Sequence, residues 1–592
     1  MNTISVPGYP PSDARLHVSR HTDTHFRITR FSSREEIDAR REELRFNLRM
    51  AAGLYPWPEK TPLNTRFEDV GTFDGFSVKK IMFETRPGFW STGNLYLPHP
   101  MKPKMPAIFN VIGHWEEQRL SRDDTADYPN QLANFARMGF VCLVTDMIGM
   151  VDSRQISHYY GGADKELYLS GGLGIQLWNN IRALDLLISL PYVDADHIGM
   201  TGASGGGSQT LFLSLIDDRI KAAAPINMIS LSMQGGCSCE NAPGLRRETD
   251  NTELCAMLAP RPLFLAGSTG DWTKWLETDE RPGVLEAYRQ SAAEDMVEYF
   301  YQDAEHQYND KTRHHVYSFF ARHLMGYDPD WHEMPLAVRD LSSLTWYPDG
   351  GHAGSIASDE EFLAMDAAAR TDAIASLPDD EKRRMLAWMT GYRAETNQYI
   401  PLSCQTLHDC VCRHGLLFGN HGEKIPVTTV TPQTWDGTSV CVLLSGNGRD
   451  ILSTAHAKQL LAAGSILVSG DLFLTGITKD CIPIDRQTAG TANYYTTFHS
   501  TDDACRVCDA ASIITYAKTL GTALTVTADG CAARAVALAL ALGVNAESAH
   551  LEASAVQITP DECLDTFFIP GIGAFGGICG CLSLVSAPIT FY

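Results

Sequence analysis

The sequence has a shortage of basic residues and no long apolar run. Its 592 residues include 48 Lys and Arg against 71 Asp and Glu, which gives a formal net charge of −23. A surface of that sign repels the phosphates of nucleic acids and anionic lipids. No segment approaches the roughly eighteen consecutive apolar residues of a membrane-spanning helix. We therefore expect a globular protein with neither a nucleic acid nor a membrane as partner.

A secretory signal is also missing from the first residues. The segment MNTISVPGYPPSDARLHVSRHTDTHF lacks a basic stretch followed by an apolar one, which is the pattern of a signal peptide. We expect a cytoplasmic protein, or an exported one if a leader has been removed.

The cysteines form no pattern that is typical of disulfides or of a metal site. Their number, fifteen, is odd, and no CxxC pair has a matching second pair. We expect reduced thiols, no metal and no organic cofactor. The closely spaced pairs are Cys237 and Cys239, Cys410 and Cys412, and Cys505 and Cys508.

Apolar strand-like runs alternate with amphipathic helical patterns through much of the chain. In the first half the runs AIFNVIG, VCLVTDMIG, HIGMTGAS, KAAAPINMI and RPLFLAGS are separated by helical segments such as GIQLWNNIRALDLLISL. Such alternation indicates parallel strands that are buried on both faces. The predicted fold is α/β, a mainly parallel sheet with helices on both faces.

The alternation restarts in the second half as an internal repeat. Gly139-FVCLVT-Asp146 resembles Gly464-SILVSG-Asp471, and each follows an amphipathic helical pattern. Two copies of one α/β unit account for this most economically. We predict a first domain over residues 1–330 with an N-terminal helical extension, a connector with the opening strands of the second unit over 331–430, and a second domain over 431–592.

The sequence Gly202-Ala203-Ser204-Gly205-Gly206 lies between a strand-like run and a helix-like run. This context is typical of a nucleophile elbow, in which small neighbours allow a sharp turn that exposes the serine hydroxyl. The alternative is a glycine-rich turn that only connects strand to helix.

A serine nucleophile needs a base and an orienting carboxylate, which in a sheet of this type follow in the order serine, acid, histidine. Asp271 follows the run RPLFLAGSTG and His306 follows VEYFYQDAE, so both are expected at carboxyl ends of strands. The competitors are His314 and His315 for the base, and Glu240, Glu277 and Asp279 for the acid.

The developing oxyanion needs two N–H donors. Gly205 is expected to supply one. The loop Gly113-His114-Trp115 is expected to supply the second, through the backbone N–H of Trp115 or, as a close competitor, of His114.

These motifs resemble the α/β-hydrolase superfamily, and more narrowly its acetyl xylan esterase-like branch. The resemblance covers residues 35–325 and includes ETRPGFWSTGNLYLP, GHWEEQR, TGASGGGSQT, QGGCSCENAPGLR and DAEHQY. It implies a triad of Ser204, His306 and Asp271, an acyl-enzyme, and carbohydrate esters as substrates. Small acylated sugars suit a cytoplasmic enzyme.

The segment QGGCSCENAPGLR follows KAAAPINMI, where the superfamily inserts loops that form the pocket. Glu240, Asn241 and Arg246 therefore either contact a polar substrate or hold the loop through internal pairing. Arg154 and Asp146 are open to the same two interpretations.

The second copy has no nucleophile, because Gly530 falls where Ser204 does. The acid and histidine positions would lie beyond SAPITFY. We expect a degenerate, catalytically silent α/β-hydrolase-like domain that supports the first domain, forms a wall of its pocket or contacts another subunit in a homo-oligomer.

Two rivals to a serine esterase remain. A serine peptidase of the oligopeptidase type has the same fold and triad order, but normally carries a propeller before the hydrolase domain. A non-catalytic binding or scaffold protein would keep the fold without the reaction.

Overall fold

A computed structural model describes residues 13–16, 20–338, 340–394, 398–419, 422–481 and 494–592. The chain forms two compact units, each with its own sheet. The first unit contains Thr22–Gly162 and Ser170–Asp366. The second contains Ala163–Leu169, Ala367–Tyr592 and the described part of Met1–His21.

This grouping differs from the predicted boundaries at both ends of the first domain. Residues 331–366, predicted as connector, belong to the first unit. The N-terminal segment belongs to the second unit, because Arg15 forms an ion pair with Asp509 at 2.8 Å and the Ala14 N–H donates to the carbonyl of Gly422.

The first unit contains a nine-stranded sheet in the order β1-β2-β3-β5-β4-β6-β7-β8-β9. Pairing is antiparallel from β1 to β5 and parallel from β5 through β4 to β9. The predicted α/β fold is confirmed. The strands are β1 (Arg66–Phe73), β2 (Phe76–Arg86), β3 (Phe89–Pro98), β4 (Met105–Asn110), β5 (Val141–Thr145), β6 (Val193–Ala203), β7 (Ala222–Ile226), β8 (Leu263–Ser268) and β9 (Val297–Gln302).

Among the described residues, the sheet of the second unit repeats the order and pairing of the first eight strands of the first unit. Its eight strands follow the order β10-β11-β12-β14-β13-β15-β16-β17. The strands are β10 (Gln398–Leu407), β11 (Cys410–Phe418), β12 (Lys424–Pro432), β13 (Ser439–Leu444), β14 (Ile466–Gly470), β15 (Ala523–Ala528), β16 (Ser548–Leu551) and β17 (Ile589–Phe591).

The described residues form the following α-helices. They are α1 (Arg34–Ala51), α2 (Tyr128–Met138), α3 (Ala163–Glu166), α4 (Gly172–Ser189), α5 (Gly205–Ile216), α6 (Asn251–Ala256), α7 (Arg281–Gln290), α8 (Asp310–Met325), α9 (Asp359–Ala375), α10 (Asp379–Thr390), α11 (Ala455–Ala462), α12 (Tyr495–Phe498), α13 (Asp502–Lys518), α14 (Gly530–Ala541), α15 (Ala553–Val556), α16 (Glu562–Thr566) and α17 (Gly577–Cys581). A π-helical turn, Leu276–Glu280, precedes α7.

The central strands are buried on both faces, as the apolar runs predict. Every residue of β5 and of β7 is buried, so both of their faces are covered. No helix among the described residues is long and apolar enough to cross a membrane.

A buried ionic cluster lies at the end of β5 in the first unit. The Arg119 guanidinium donates to Oδ1 of Asp146 at 2.7 Å and to Oδ2 of Asp152 at 2.6 Å. All three side chains are excluded from solvent. Burial raises the pKa of Asp146 to about 6. Asp146 thus has the scaffold contacts that were one of its two interpretations.

Candidate active site

Ser204 lies at the sharp turn between β6 and α5. Its backbone has φ 58° and ψ −126°, a conformation that an L-residue adopts only when its surroundings impose it. The Ser204 N–H donates to the carbonyl of Ile226 at 3.1 Å, so β7 fixes the turn. This is the strand–turn–helix context that the GxSxG pattern requires.

Glycines allow the neighbouring backbone to approach this turn. A Cβ on Gly202 would lie 2.3 Å from the carbonyl oxygen of Val111. A Cβ on Gly113 would lie 2.5 Å from the carbonyl oxygen of Ala203 and 3.0 Å from Cβ of Ser204. The loop after β4 therefore lies directly against the turn that carries Ser204.

Asp271 follows β8 and has a buried carboxylate. Its Oδ2 accepts hydrogen bonds from Nδ2 of Asn227 at 2.8 Å and from Oγ1 of Thr273 at 2.9 Å. Its Oδ1 accepts from the N–H of Trp272 at 2.6 Å. Three donors fix the orientation of this carboxylate.

His306 lies in the loop after β9, beside that carboxylate. Its Nδ1 is 3.2 Å from Oδ2 of Asp271. The ring packs against two indoles, with centroid distances of 4.2 Å to Trp272 and 5.9 Å to Trp115. Neither ring nitrogen makes a well-oriented hydrogen bond with a described residue, so Nε2 has no protein partner there.

The two histidines that compete with His306 for the role of base lie away from Asp271. His314 contacts the carbonyl of Trp331, and His315 stacks on Phe300. Neither approaches Asp271 within ion-pair distance among the described residues.

The residues expected to donate to the oxyanion lie in elements that adjoin Ser204. Gly205 is the first residue of α5, and its N–H is one of the four that a helix leaves without an intrahelical acceptor. Trp115 belongs to the same loop as Gly113, and this loop contacts both the Ser204 turn and the His306 ring. The imidazole of His114 lies close to Gly205, since a Cβ added to Gly205 would be 2.6 Å from Cε1 of His114.

The predicted substrate contacts divide into buried and exposed residues. Glu240 accepts hydrogen bonds from Ser208 and from the N–H of Gly236. Arg246 is fully buried and donates to Oδ1 of Asn241 and to the carbonyl of Glu240. Burial lowers the pKa of Arg246 to about 10. These are the internal loop contacts of the second interpretation, whereas Arg154 is exposed.

Sequence reasoning missed the residues that support the acid. Asn227 stands at the end of β7 with φ 50°, and the indole N–H of Trp272 donates to the Asn227 carbonyl at 3.0 Å. The only sequence signal for them is their position in the loops after β7 and β8, at the edge where Asp271 was expected.

The second unit has a glycine at the corresponding turn. Gly530 follows β15 and begins α14, with φ 54°. Its N–H donates to Oε2 of Glu552 at 2.7 Å. The turn has the same topological place as that of Ser204 but carries no hydroxyl.

Known proteins resemble the first unit. Residues 59–229 match the family model described as acetyl xylan esterase (AXE1). This range includes Ser204 and the loop after β4, while Asp271 and His306 lie outside it.

One curated relative and one solved structure share more than a quarter of their aligned residues with this chain. "Putative hydrolase YtaP" of Bacillus subtilis (strain 168) is 27% identical over 175 residues, which are 26% of this chain and 56% of that protein. The chain thus spans about half the length of this curated relative. "Methylesterase BT1017" is 28% identical with a TM-score of 0.50, over 58% of this chain and 78% of that one. The family match and these relatives show that the unit containing Ser204 is similar to α/β-hydrolase esterases of the acetyl xylan esterase type.

Proposed function

We propose that the first unit is a serine carboxylic-ester hydrolase that removes acyl groups from small carbohydrates. The observation that carries the proposal is the position of Ser204 at a strained strand–helix turn, next to a loop that also contacts His306. The His306 ring in turn lies 3.2 Å from a buried carboxylate.

The residues support an acyl-enzyme reaction. His306 accepts the proton of Ser204 through Nε2 as the hydroxyl oxygen attacks the ester carbonyl, and Asp271 holds the ring and stabilises the imidazolium. The N–H groups of Gly205 and Trp115 donate to the oxyanion. The alcohol leaves with the proton from His306, and water, activated by the same ring, then releases the acid.

The choice of substrate class rests on the family match. The matched model is described as acetyl xylan esterase, and the similar solved structure is named a methylesterase. Acetyl and methyl esters share the bond that breaks but differ in which side carries the sugar. We therefore propose an acetyl ester of a small sugar and keep the methyl ester as the comparison substrate.

The second unit is proposed to have no hydrolytic activity. Gly530 lies at the turn of the second unit that corresponds to the Ser204 turn of the first. A glycine supplies neither a hydroxyl nor a thiol. All ester hydrolysis is then expected to depend on Ser204.

The test measures hydrolysis of 4-nitrophenyl acetate, butyrate and octanoate by the wild type, Ser204→Ala and the control Ser189→Ala. Acetate release from acetylated xylo-oligosaccharides and methanol release from methyl-esterified oligogalacturonides are followed alongside. Acetate turnover that disappears only in Ser204→Ala supports the proposal. Equal inactivity of all three proteins on every ester overturns it and favours a peptidase or a binding protein.

A further inference from the structure

Two histidines and two cysteines meet in the first unit. His114 Nε2 lies 3.0 Å from His158 Nε2 and 3.4 Å from Cys239 Sγ. Cys237 Sγ lies 3.2 Å from His158 Nε2. One potential ligand atom from each residue lies within 4.8 Å of all the others.

Three loops at one edge of the sheet supply these residues. His114 follows β4, His158 lies in the loop after β5, and Cys237 and Cys239 lie in the loop after β7. His158, Cys237 and Cys239 are buried, and His114 lies on the solvent side. His114 and His158 are 44 positions apart, and His158 and Cys237 are 79 positions apart. No local sequence motif therefore reveals the cluster.

A hydrogen bond outside the cluster directs the lone pair of His158 into it. Nδ1 of His158 lies 2.8 Å from the carbonyl of Ile148. A carbonyl oxygen only accepts, so Nδ1 carries the proton and Nε2 of the neutral ring is bare. A ligating histidine almost always donates its other ring N–H in this way.

The backbone of the Cys-Ser-Cys segment is held by further donors. Nδ2 of Asn241 donates to the carbonyl of Cys237 at 3.0 Å, and Nε2 of Gln209 donates to that of Cys239 at 2.8 Å. The hydroxyl of Ser238 donates to the carbonyl of His158 at 3.2 Å. These contacts join two of the three loops and leave both thiols facing the imidazoles.

We propose that His114, His158, Cys237 and Cys239 bind a Zn²⁺ ion with tetrahedral geometry. Zinc forms bonds of about 2.0–2.1 Å to imidazole nitrogen and about 2.3 Å to thiolate sulfur, so neighbouring ligand atoms stand roughly 3.3–3.8 Å apart. The three separations of 3.0, 3.2 and 3.4 Å need only a small expansion. Two thiolates neutralise the ion, which suits a buried position.

The chain supplies all four ligands, which is typical of a structural rather than a catalytic zinc site. Its role follows from His114, which belongs to the loop that also contains Gly113 and Trp115. The ion fixes this loop to the loops after β5 and β7, and thus beside Gly205. The proposal concerns metal binding alone and stands or fails independently of the ester hydrolysis.

The experiment measures zinc in the full-length protein by inductively coupled plasma mass spectrometry and zinc ligation by X-ray absorption. We expect about one Zn²⁺ per chain, with two sulfur and two nitrogen ligands. Co²⁺ exchanged into the site should give a thiolate charge-transfer band. The absorption measurement uses the wild type, so it does not depend on the folding of a variant.

Matched variants locate the ion. Cys237→Ala and Cys239→Ala should lose zinc, whereas Cys255→Ala, at a buried cysteine elsewhere in the unit, should retain it. His332→Ala tests the surface group of His314, Asp330 and His332 and should also retain it. Three results would overturn the proposal: zinc-free wild type after growth and dialysis with Zn²⁺, retention of zinc in both cysteine variants, or a Cys237–Cys239 disulfide in protein purified under reducing conditions.

Discussion

Oδ2 of Asp271 accepts a hydrogen bond of 2.8 Å from Nδ2 of Asn227, so the proposed acid is positioned from the neighbouring strand. The same oxygen lies 3.2 Å from Nδ1 of His306. The Asn227 side chain therefore acts on the base through the carboxylate, which makes Asn227 a positioning residue.

Replacing Asn227 should weaken turnover more than substrate binding. Its φ of 50° favours Asn or Gly, so Asn227→Gly removes the donor without adding backbone strain. Hydrogen bonds to charged groups contribute about 1.5–3 kcal/mol, and we expect kcat to fall about tenfold or more with KM nearly unchanged. Steady-state kinetics on 4-nitrophenyl acetate measure this. A fall in kcat/KM that arises from KM alone would contradict the assigned role.

The strain at Ser204 should be measurable as stability. Ser204→Ala keeps the Cβ at φ 58°, while Ser204→Gly removes it. Glycine should relieve about 1–3 kcal/mol of backbone strain in the folded state. It should also cost about 0.5–1 kcal/mol, because glycine has more conformational entropy in the unfolded chain. We therefore expect Ser204→Gly to be more stable than Ser204→Ala by about 1 kcal/mol. Urea unfolding of the two inactive variants compares them. Equal stability would show that the turn is relaxed.

The Arg119 cluster should be one of the most sensitive sites of the scaffold. Arg119→Met leaves the buried carboxylates of Asp146 and Asp152 without their cation, which should cost about 3–5 kcal/mol of the free energy of unfolding. The control Arg122→Met removes a partly exposed pair with Asp127 and should cost less than about 1 kcal/mol. Similar losses in urea unfolding would mean that the buried cluster is not a structural requirement.

The side chain of Glu280 should make stability depend on pH. It lies buried in the π-helical turn, with Oε1 accepting from the N–H of Leu231 at 3.0 Å, and burial raises its pKa to about 7. The native state then holds this proton more tightly than the unfolded chain, whose glutamate pKa is about 4.3. The contribution of this proton to the free energy of unfolding is complete below about pH 4 and is lost as the pH rises through about 7.

Glu280→Gln keeps the acceptor and removes the titration. The free energy of unfolding of the wild type relative to this variant should fall by roughly 3 kcal/mol between pH 4.5 and 8, since one pKa unit corresponds to about 1.4 kcal/mol. Urea unfolding of both proteins at several pH values measures this difference. The contributions of the other titrating groups are the same in both proteins and therefore cancel. A difference that does not change with pH would contradict the raised pKa.

The buried elements could be predicted from the sequence because they have strong local patterns. The predicted N-terminal helical extension is α1, where Oγ of Ser33 accepts from the N–H of Glu36. The β1 strand was missed because RFEDVGTF lies mostly exposed at the sheet edge and therefore lacks the alternation of apolar and polar residues that marks a half-buried strand.

The candidate site could be predicted where its residues lie in a local turn or follow a strand, as Asp271 and His306 do. The turn at Ser204 follows from small residues between a strand and a helix, and the same reasoning places Gly530. The contact of Asn227 with Asp271 depends on how β7 pairs with β8. Cys237-Ser-Cys239 has no matching second Cys pair in the sequence, and the two histidines that lie beside it in the structure come from distant loops.

The central claim is that Ser204 carries the acyl group during turnover. Rapid quenching of the reaction with 4-nitrophenyl acetate, followed by intact mass and peptide mapping, tests it most directly. The account predicts that the wild type gains one acetyl group on the peptide that contains Ser204, and that Ser204→Ala gains none and hydrolyses no ester. An acetyl group on another residue, or turnover by Ser204→Ala at the wild-type rate, would contradict it.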